Sequence, residues 1–252
     1  MVDAWGWRMK FGVVTPSTNT IVQPHYDAMA PKGVTNHISR MHIPDDPVNS
    51  DEDFDELIRR IDVALEESID RVMTCRPDHL ILGISAESIW GGGLEPARKI
   101  EERIAARAGS DTGVTQAADA LPAALRAFGD GIRRIAIVCP YYPVAIGHLQ
   151  AFADETGFDL VRTECLACDS PVNIAHIAED ELREAVRKVD GPDIDAIVQF
   201  GANLPMAYVA AEAERWLRKP VVAVMTATYW YALRRNGIED RKPGFGRLMA
   251  EH

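Results

Sequence analysis

The 252-residue chain can bury one large hydrophobic core or two small ones, and 47% apolar with 26% charged residues is the balance of an ordinary globular protein. A net charge of -11 with no offsetting Lys/Arg run argues against a nucleic-acid or anionic-membrane partner, but not against a small anionic substrate, because a few local donors outweigh a distant surface field. No apolar run reaches the roughly 20 residues of a membrane helix, and Met1-Val2-Asp3-Ala4-Trp5 lacks a signal-peptide core, so the expectation is a cytoplasmic protein.

Short apolar runs alternate with amphipathic stretches, the pattern of parallel strands joined by helices. Strands are predicted at 11–14, 36–41, 80–85 and 113–116, then at 135–139, 159–163, 196–200 and 221–225. Between them, 51–75 reads as one helix with Leu57, Ile61, Leu65 and Ile69 on a single stripe and Asp51-Glu52-Asp53 at its positive end. Residues 95–108 and 174–189 read the same way, and 226–236 reads as a last helix whose pattern leaves open whether it crosses back to the first half or stays with the second. The tail, 241–252, is polar and carries nothing that looks catalytic.

The two halves repeat one another. Lys10-Phe11-Gly12-Val13-Val14-Thr15-Pro16-Ser17 aligns with Arg134-Ile135-Ala136-Ile137-Val138-Cys139-Pro140-Tyr141, and His79-Leu80-Ile81-Leu82-Gly83 with Ile197-Val198-Gln199-Phe200-Gly201. Ala124-Leu125-Arg126-Ala127-Phe128-Gly129 aligns with Ala232-Leu233-Arg234-Arg235-Asn236-Gly237. Three matches in one order predict an α/β fold of two pseudo-symmetric lobes, each a parallel sheet flanked by helices, with the site in the cleft between them. Gly129-Asp130-Gly131 is the expected boundary, giving lobes at 1–129 and 130–237 and a tail at 238–252.

Ligands of open parallel sheets bind beyond the carboxyl ends of the strands, and four loops there are unusual. Thr15-Pro16-Ser17-Thr18-Asn19-Thr20 holds five hydroxyl or amide side chains where a helix cap needs one. Gly83-Ile84-Ser85-Ala86-Glu87-Ser88 runs into Gly91-Gly92-Gly93, a turn whose donors suit a carboxylate or an enolate oxygen, although simple packing is the bland reading. Cys139-Pro140-Tyr141-Tyr142 brings a phenol to a strand end, and Phe200-Gly201-Ala202-Asn203 faces Gly83 across the repeat. No dinucleotide or P-loop fingerprint is present. Cys165 and Cys168 form a CxxC without a second ligand pair, so no metal is expected.

On these loops the chain resembles the Asp/Glu racemase superfamily, in its maleate isomerase and arylmalonate decarboxylase branch. The 15–20 loop is similar to the PSSNT loop of maleate isomerases, Cys139-Pro140-Tyr141 to their TPY, and Gly83-Ile84-Ser85 to the decarboxylase Gly-Thr-Ser segment. The resemblance implies cofactor-independent chemistry on a small carboxylate substrate, with Asn19 and Tyr141 on a carboxylate and Gly83, Ile84 and Ser85 in a pocket of donors; from their loops Thr15, Ser17, Gly201, Ala202 and Asn203 join them as binding candidates. It also implies cysteines that exchange protons or attack a double bond, as thiols of tuned pKa do. Here the first cysteine position falls at Gly83 and the second at or next to Gly201, so both thiols are absent.

Candidates to replace them are Glu87 first, as a carboxyl enclosed in a glycine-rich loop, then Cys139, then His25 past the first loop. Ser85 would be a nucleophile only with one of these as base. Three functions follow: an isomerase or decarboxylase working through an enolate or enediolate with a non-cysteine acid/base; a hydrolase of a small amide, imide or lactone using water activated by Glu87 in the room left by the glycines; and a non-catalytic acid binder. Trp90, Tyr229, Trp230 and Tyr231 suit a subunit-buried surface and core packing equally, which leaves homo-oligomer formation open.

Overall fold

The computed structural model describes residues 3–109 and 111–252; Met1 and Val2, part of the segment read as lacking a leader, lie outside them. In the first half the elements run β1 (Met9–Pro16), α1 (Val22–Met29), β2 (Val34–Met41), α2 (Asp51–Val63), α3 (Leu65–Met73), β3 (His79–Leu82), α4 (Glu95–Ala108), β4 (Gly113–Thr115) and α5 (Ala117–Ala127). The second half runs β5 (Arg134–Cys139), α6 (Ala145–Thr156), β6 (Asp159–Cys165), a 3-10 turn (Asn173–His176), α7 (Glu179–Val189), β7 (Ala196–Gln199), α8 (Ala207–Leu217), β8 (Val221–Ala223), α9 (Val224–Arg235) and α10 (Gly246–Glu251). All eight predicted strands are present. Two parallel four-stranded sheets form, ordered β2-β1-β3-β4 and β6-β5-β7-β8, so the internal repeat is a repeat of topology. β1 and β5 are central in their sheets and fully buried along most of their length, which is why both read as continuous apolar runs.

The structure corrects several boundaries. β3 and β7 end at Leu82 and Gln199, so Gly83–Ser85 and Phe200 belong to the loops that follow rather than to strands. The stretch 51–75 is two helices broken at Ala64, whose ψ of -1° leaves the helical path. The break lets α3 pack on β1 and β2 while α2 leans over the strand ends. The 174–189 stretch is a 3-10 turn, a break at Ile177 with ψ 124°, and then α7. Met225, read as the end of a strand, lies in α9, and the polar-looking tail buries Phe245, Leu248 and Met249.

The last long helix does cross to the first half. The Tyr26 phenol donates to Met225 Sδ at 3.2 Å, Tyr229 Oη donates to Asn36 Oδ1 at 3.1 Å, and the Tyr229 ring meets Phe11 edge-on at 5.7 Å. One apolar core therefore runs from β1 and β3 through α9 to β5 and β7, while a smaller one lies under α7 and α8. With both sheets joined by this core, the loops beyond β1, β3, β5 and β7 meet at one place.

Candidate active site

Where those loops meet there is a small cavity of about 60 Å3, large enough to hold water. Its polar end is formed by Thr18, Asn19, Ser85, Glu87, Tyr141 and the Gly201–Asn203 backbone, and its roof by Phe54, Leu57, Ile58 and Ile61 of α2. The roof is missing from the sequence reading. Leu57 and Ile61 stand on the predicted apolar stripe, but the pattern alone does not distinguish a helix face that covers a sheet from one that covers a ligand site.

The roof helix is anchored largely by the other half of the molecule. Ser50 caps it, accepting from the Asp53 N–H at 3.2 Å, and Asp53 returns the contact to the Asn49 N–H at 2.9 Å. Tyr142 Oη donates to Val48 O at 2.6 Å, the Val144 N–H to Asp51 Oδ1 at 3.1 Å, and the Val48 N–H to Asp169 O at 2.7 Å. Trp90 Nε1 donates to Asp55 at 2.9 Å.

Ser85 is fully buried and central. Its Oγ accepts from the Gly201 N–H at 3.0 Å and lies 2.9 Å from Tyr141 Oη. This pair has two hydroxyl hydrogens, and the bond between them consumes one. The other is left for a ligand oxygen. Ser88, expected as a second donor, instead donates to Ser85 O at 2.9 Å and fixes the turn. Beyond it Gly91, Gly92 and Gly93 all have positive φ, from 68° to 106°, so this exit is tightly turned.

Glu87 is 7% exposed, and neither carboxyl oxygen has a hydrogen-bond partner. Burial without a partner disfavours the charged form and pushes the carboxyl up to about 8, with the Asp62 charge adding to the rise and its own backbone opposing it. A neutral carboxylic acid therefore faces the cavity at neutral pH. Burial likewise holds the Tyr141 phenol well above its usual range, so it stays protonated.

The first loop is used differently from its reading. Thr15 Oγ1 donates to Gly83 O at 2.8 Å, and Ser17 Oγ is bonded to both the N–H and the C=O of Ile43, at 3.0 and 3.1 Å. Both hydroxyls thus serve the fold, and neither residue lines the cavity. Asn19 does line it; its Oδ1 accepts from the Ile21 and Val22 N–H groups at 3.0 and 2.9 Å, starting α1 and leaving its NH2 for a ligand. Asn203 borders the cavity too, but its amide is spent as a clasp between the halves: Oδ1 accepts from the Thr20 N–H at 3.0 Å and Nδ2 donates to Pro171 O at 2.9 Å.

Ile84 and Ala202 supply backbone and apolar lining. Gly83 is packed behind the wall; a Cβ there would stand 3.0 to 3.2 Å from Val22, Val13 and Thr15. Gly201 lines the cavity with φ +100°, and a Cβ built on it would overlap the Pro140 ring. His25 lies outside, its ring edge-on to Tyr208 at 5.7 Å, and burial lowers its pKa. Cys139 is fully buried with Sγ 3.7 Å from Cys165, and burial raises its thiol well above the ordinary value. Among the described residues no cysteine borders the cavity, and no group of three His, Cys, Asp or Glu is placed to hold a metal.

The arrangement can bind one carboxylate through neutral donors, support a developing oxyanion, and exchange one proton. Among known proteins, the model of the arylmalonate decarboxylase family matches residues 59–249. The maleate isomerase of Pseudomonas putida is 27% identical over 253 residues, covering 96% of this chain and 97% of that protein. A cysteine-to-serine mutant of the Nocardia farcinica maleate cis-trans isomerase, solved with a covalently bound succinylcysteine intermediate, superposes with a TM-score of 0.85 at 23% identity, over 97% of this chain and 99% of that one. A liganded double mutant of arylmalonate decarboxylase gives 0.81 at 22% identity, over 97% of this chain and all of that one.

Proposed function

This chain belongs to the arylmalonate decarboxylase family, and on that premise we propose an enzyme that carries a small carboxylate through an enediolate, with the Glu87 carboxyl as proton carrier in place of a thiol. The observation behind it is the buried, unpartnered Glu87 carboxyl in one cavity with the Ser85–Tyr141 pair.

One substrate carboxylate is held by the Asn19 NH2 and by the hydroxyl hydrogen left over from Ser85 and Tyr141. A second carboxylate on the same carbon then points at the roof of Phe54, Leu57, Ile58 and Ile61, where nothing solvates its charge. Its C–C bond breaks and neutral CO2 leaves, the bonding pair passing into an enediolate whose oxygens remain on the donors. Glu87 then gives its proton to the α carbon and is left as a carboxylate.

Isomerisation through a cysteine adduct is disfavoured, because none of the four thiols borders the cavity and Gly83 and Gly201 stand at the positions read as the family's cysteines. The hydrolase reading loses its support, since Gly83 is packed behind the wall and Gly201 faces Pro140, so the glycines open no room for water. We keep the lobe boundary at Gly129 and the tail from Ile238.

Proton NMR in D2O tests the proposal on a panel of aryl- and alkenylmalonates, maleate, and small imides and lactones. The expected result is CO2 loss from a malonate with one deuterium at the product carbon. Ring opening without exchange at carbon, or silence across the panel, overturns it.

A further inference from the structure

Three of the four thiols gather where β5 and β6 end, outside the cavity. Cys139 closes β5 and Cys165 closes β6, and the two are partners in the parallel ladder. Their side chains therefore stand on one face of the sheet. The strands do not start in the register that pairs them. Ile135 lies opposite Leu160 but Ala136 lies opposite Arg162, because β6 bulges by one residue at Val161. Without that bulge Cys139 would stand opposite Glu164; with it the two Sγ atoms are 3.7 Å apart.

The frame suits a covalent bond between them. Partners on neighbouring strands have Cα atoms about 4.7 to 4.9 Å apart, inside the range of about 4.4 to 6.8 Å over which a disulfide closes. Turning the two side chains brings the sulfurs together without breaking the ladder. The backbone on either side is already clipped: the N–H groups of Leu166, Ala167 and Cys168 donate to Cys139 O, Tyr141 O and Pro140 O at 2.9, 3.2 and 3.0 Å. The CxxC of the sequence is thus split, with Cys165 turned to Cys139 and Cys168 placed one turn further on, past Ala167 at φ +47°.

We propose that Cys139 and Cys165 form a reversible disulfide on exposure to a peroxide, a modification site two residues before Tyr141. Their surroundings divide the work. Cys165 is half-buried and Cys139 fully buried. Burial pushes the Cys139 thiol up, while its hydrogen bond lowers Cys165 against partial burial and the charges of Glu164 and Asp51. Cys165 is then the thiol that meets the oxidant. Its Sγ attacks one oxygen of hydrogen peroxide, the O–O bond breaks, and a sulfenic acid and one water result. Cys139 Sγ attacks that sulfur; the S–S bond forms, the S–O bond breaks, and hydroxide leaves with the Cys139 proton as a second water. The two thiols lose two electrons and one peroxide takes them up.

Peptide mapping of the full chain tests this, after hydrogen peroxide treatment and alkylation of the remaining thiols under denaturing conditions. Trypsin separates Cys139, in 135–162, from Cys165 and Cys168, both in 163–183. The expected product is these two peptides joined, two hydrogens lighter than their sum and parted by dithiothreitol. The link should persist in Cys168→Ser and vanish in Cys165→Ser. A bond closed within 163–183, or a link lost in Cys168→Ser but kept in Cys165→Ser, overturns the pairing. So does recovery of Cys139 and Cys165 as alkylated thiols in a sample whose exposed Cys75 has been oxidised.

Discussion

The two sheets share strand order, direction and the placing of their loops, yet they carry different chemistry. The first half supplies most of the groups that can act on a ligand: Glu87, Ser85 and the free end of Asn19. The second half contributes Tyr141, backbone around Gly201, and the anchors of the roof through Tyr142 and Val144. The repeat thus builds a symmetric frame around a one-sided site. A pair of opposed acids would return a proton to either face of a carbon, whereas a single carboxyl delivers it to one.

Removing the hydroxyl that joins the halves should have the largest effect. Ser85→Ala deletes the acceptor of Gly201 and the partner of Tyr141 together, and is expected to lower kcat by about 10^2 to 10^3, the usual loss for an oxyanion donor, with a smaller change in KM. Steady-state kinetics on a substrate found in the D2O panel measure it.

Returning a thiol to each half sharpens the comparison. Gly201→Cys meets both a positive φ and the Pro140 ring, and should destabilise by about 1 to 3 kcal/mol. Gly83→Cys has ordinary backbone and needs its neighbours to yield by only a few tenths of an ångström, so its melting temperature should fall less. Equal losses in thermal melts would show that the halves are not as different as their glycines indicate.

The two asparagines divide in the same way. Asn19→Ala should raise KM by about tenfold through a lost carboxylate contact. Asn203→Ala should instead cost about 1 to 2 kcal/mol of stability by leaving the Thr20 N–H and Pro171 O without a partner. KM separates the two, because Asn19→Ala also uncaps α1 and loses about 1 kcal/mol of stability, whereas only Asn19→Ala changes KM.

A last prediction concerns stability against pH. Unfolded Glu87 ionises near the ordinary 4.5, whereas in the folded chain it ionises near 8. Below 4.5 it is neutral in both states and costs nothing. Between 4.5 and 8 only the unfolded form has released its proton, so stability falls as pH rises, levelling off above 8. Glu87→Gln should remove this slope in urea melts taken across that window.

Much of the frame was legible because central parallel strands bury both faces and read as unbroken apolar runs, and because the repeat was visible in residues such as Gly83 and Gly201. Asn19, Ser85, Glu87 and Tyr141 were recognisable as polar groups just past strand ends, and the structure brings them to one cavity. What stayed hidden was the destination of each polar group. Thr15, Ser17 and Asn203 have the same chemistry as ligand donors, but their partners are backbone atoms 26 to 183 residues away, distances no local pattern encodes. The break at Ala64 had no glycine or proline to announce it, and so the roof went unseen.

The crossing of α9 has a consequence for synthesis. Tyr229 and Met225 close the face of Phe11, Tyr26 and Asn36 across contacts 193 and 199 residues apart for the two hydrogen bonds. The first sheet leaves the ribosome with that face uncovered and keeps it so until nearly the whole chain has been made. Long-range closure of this kind is slow and leaves apolar surface exposed meanwhile. A nascent chain arrested after residue 129 would be a substrate for chaperones, not a finished half of the protein.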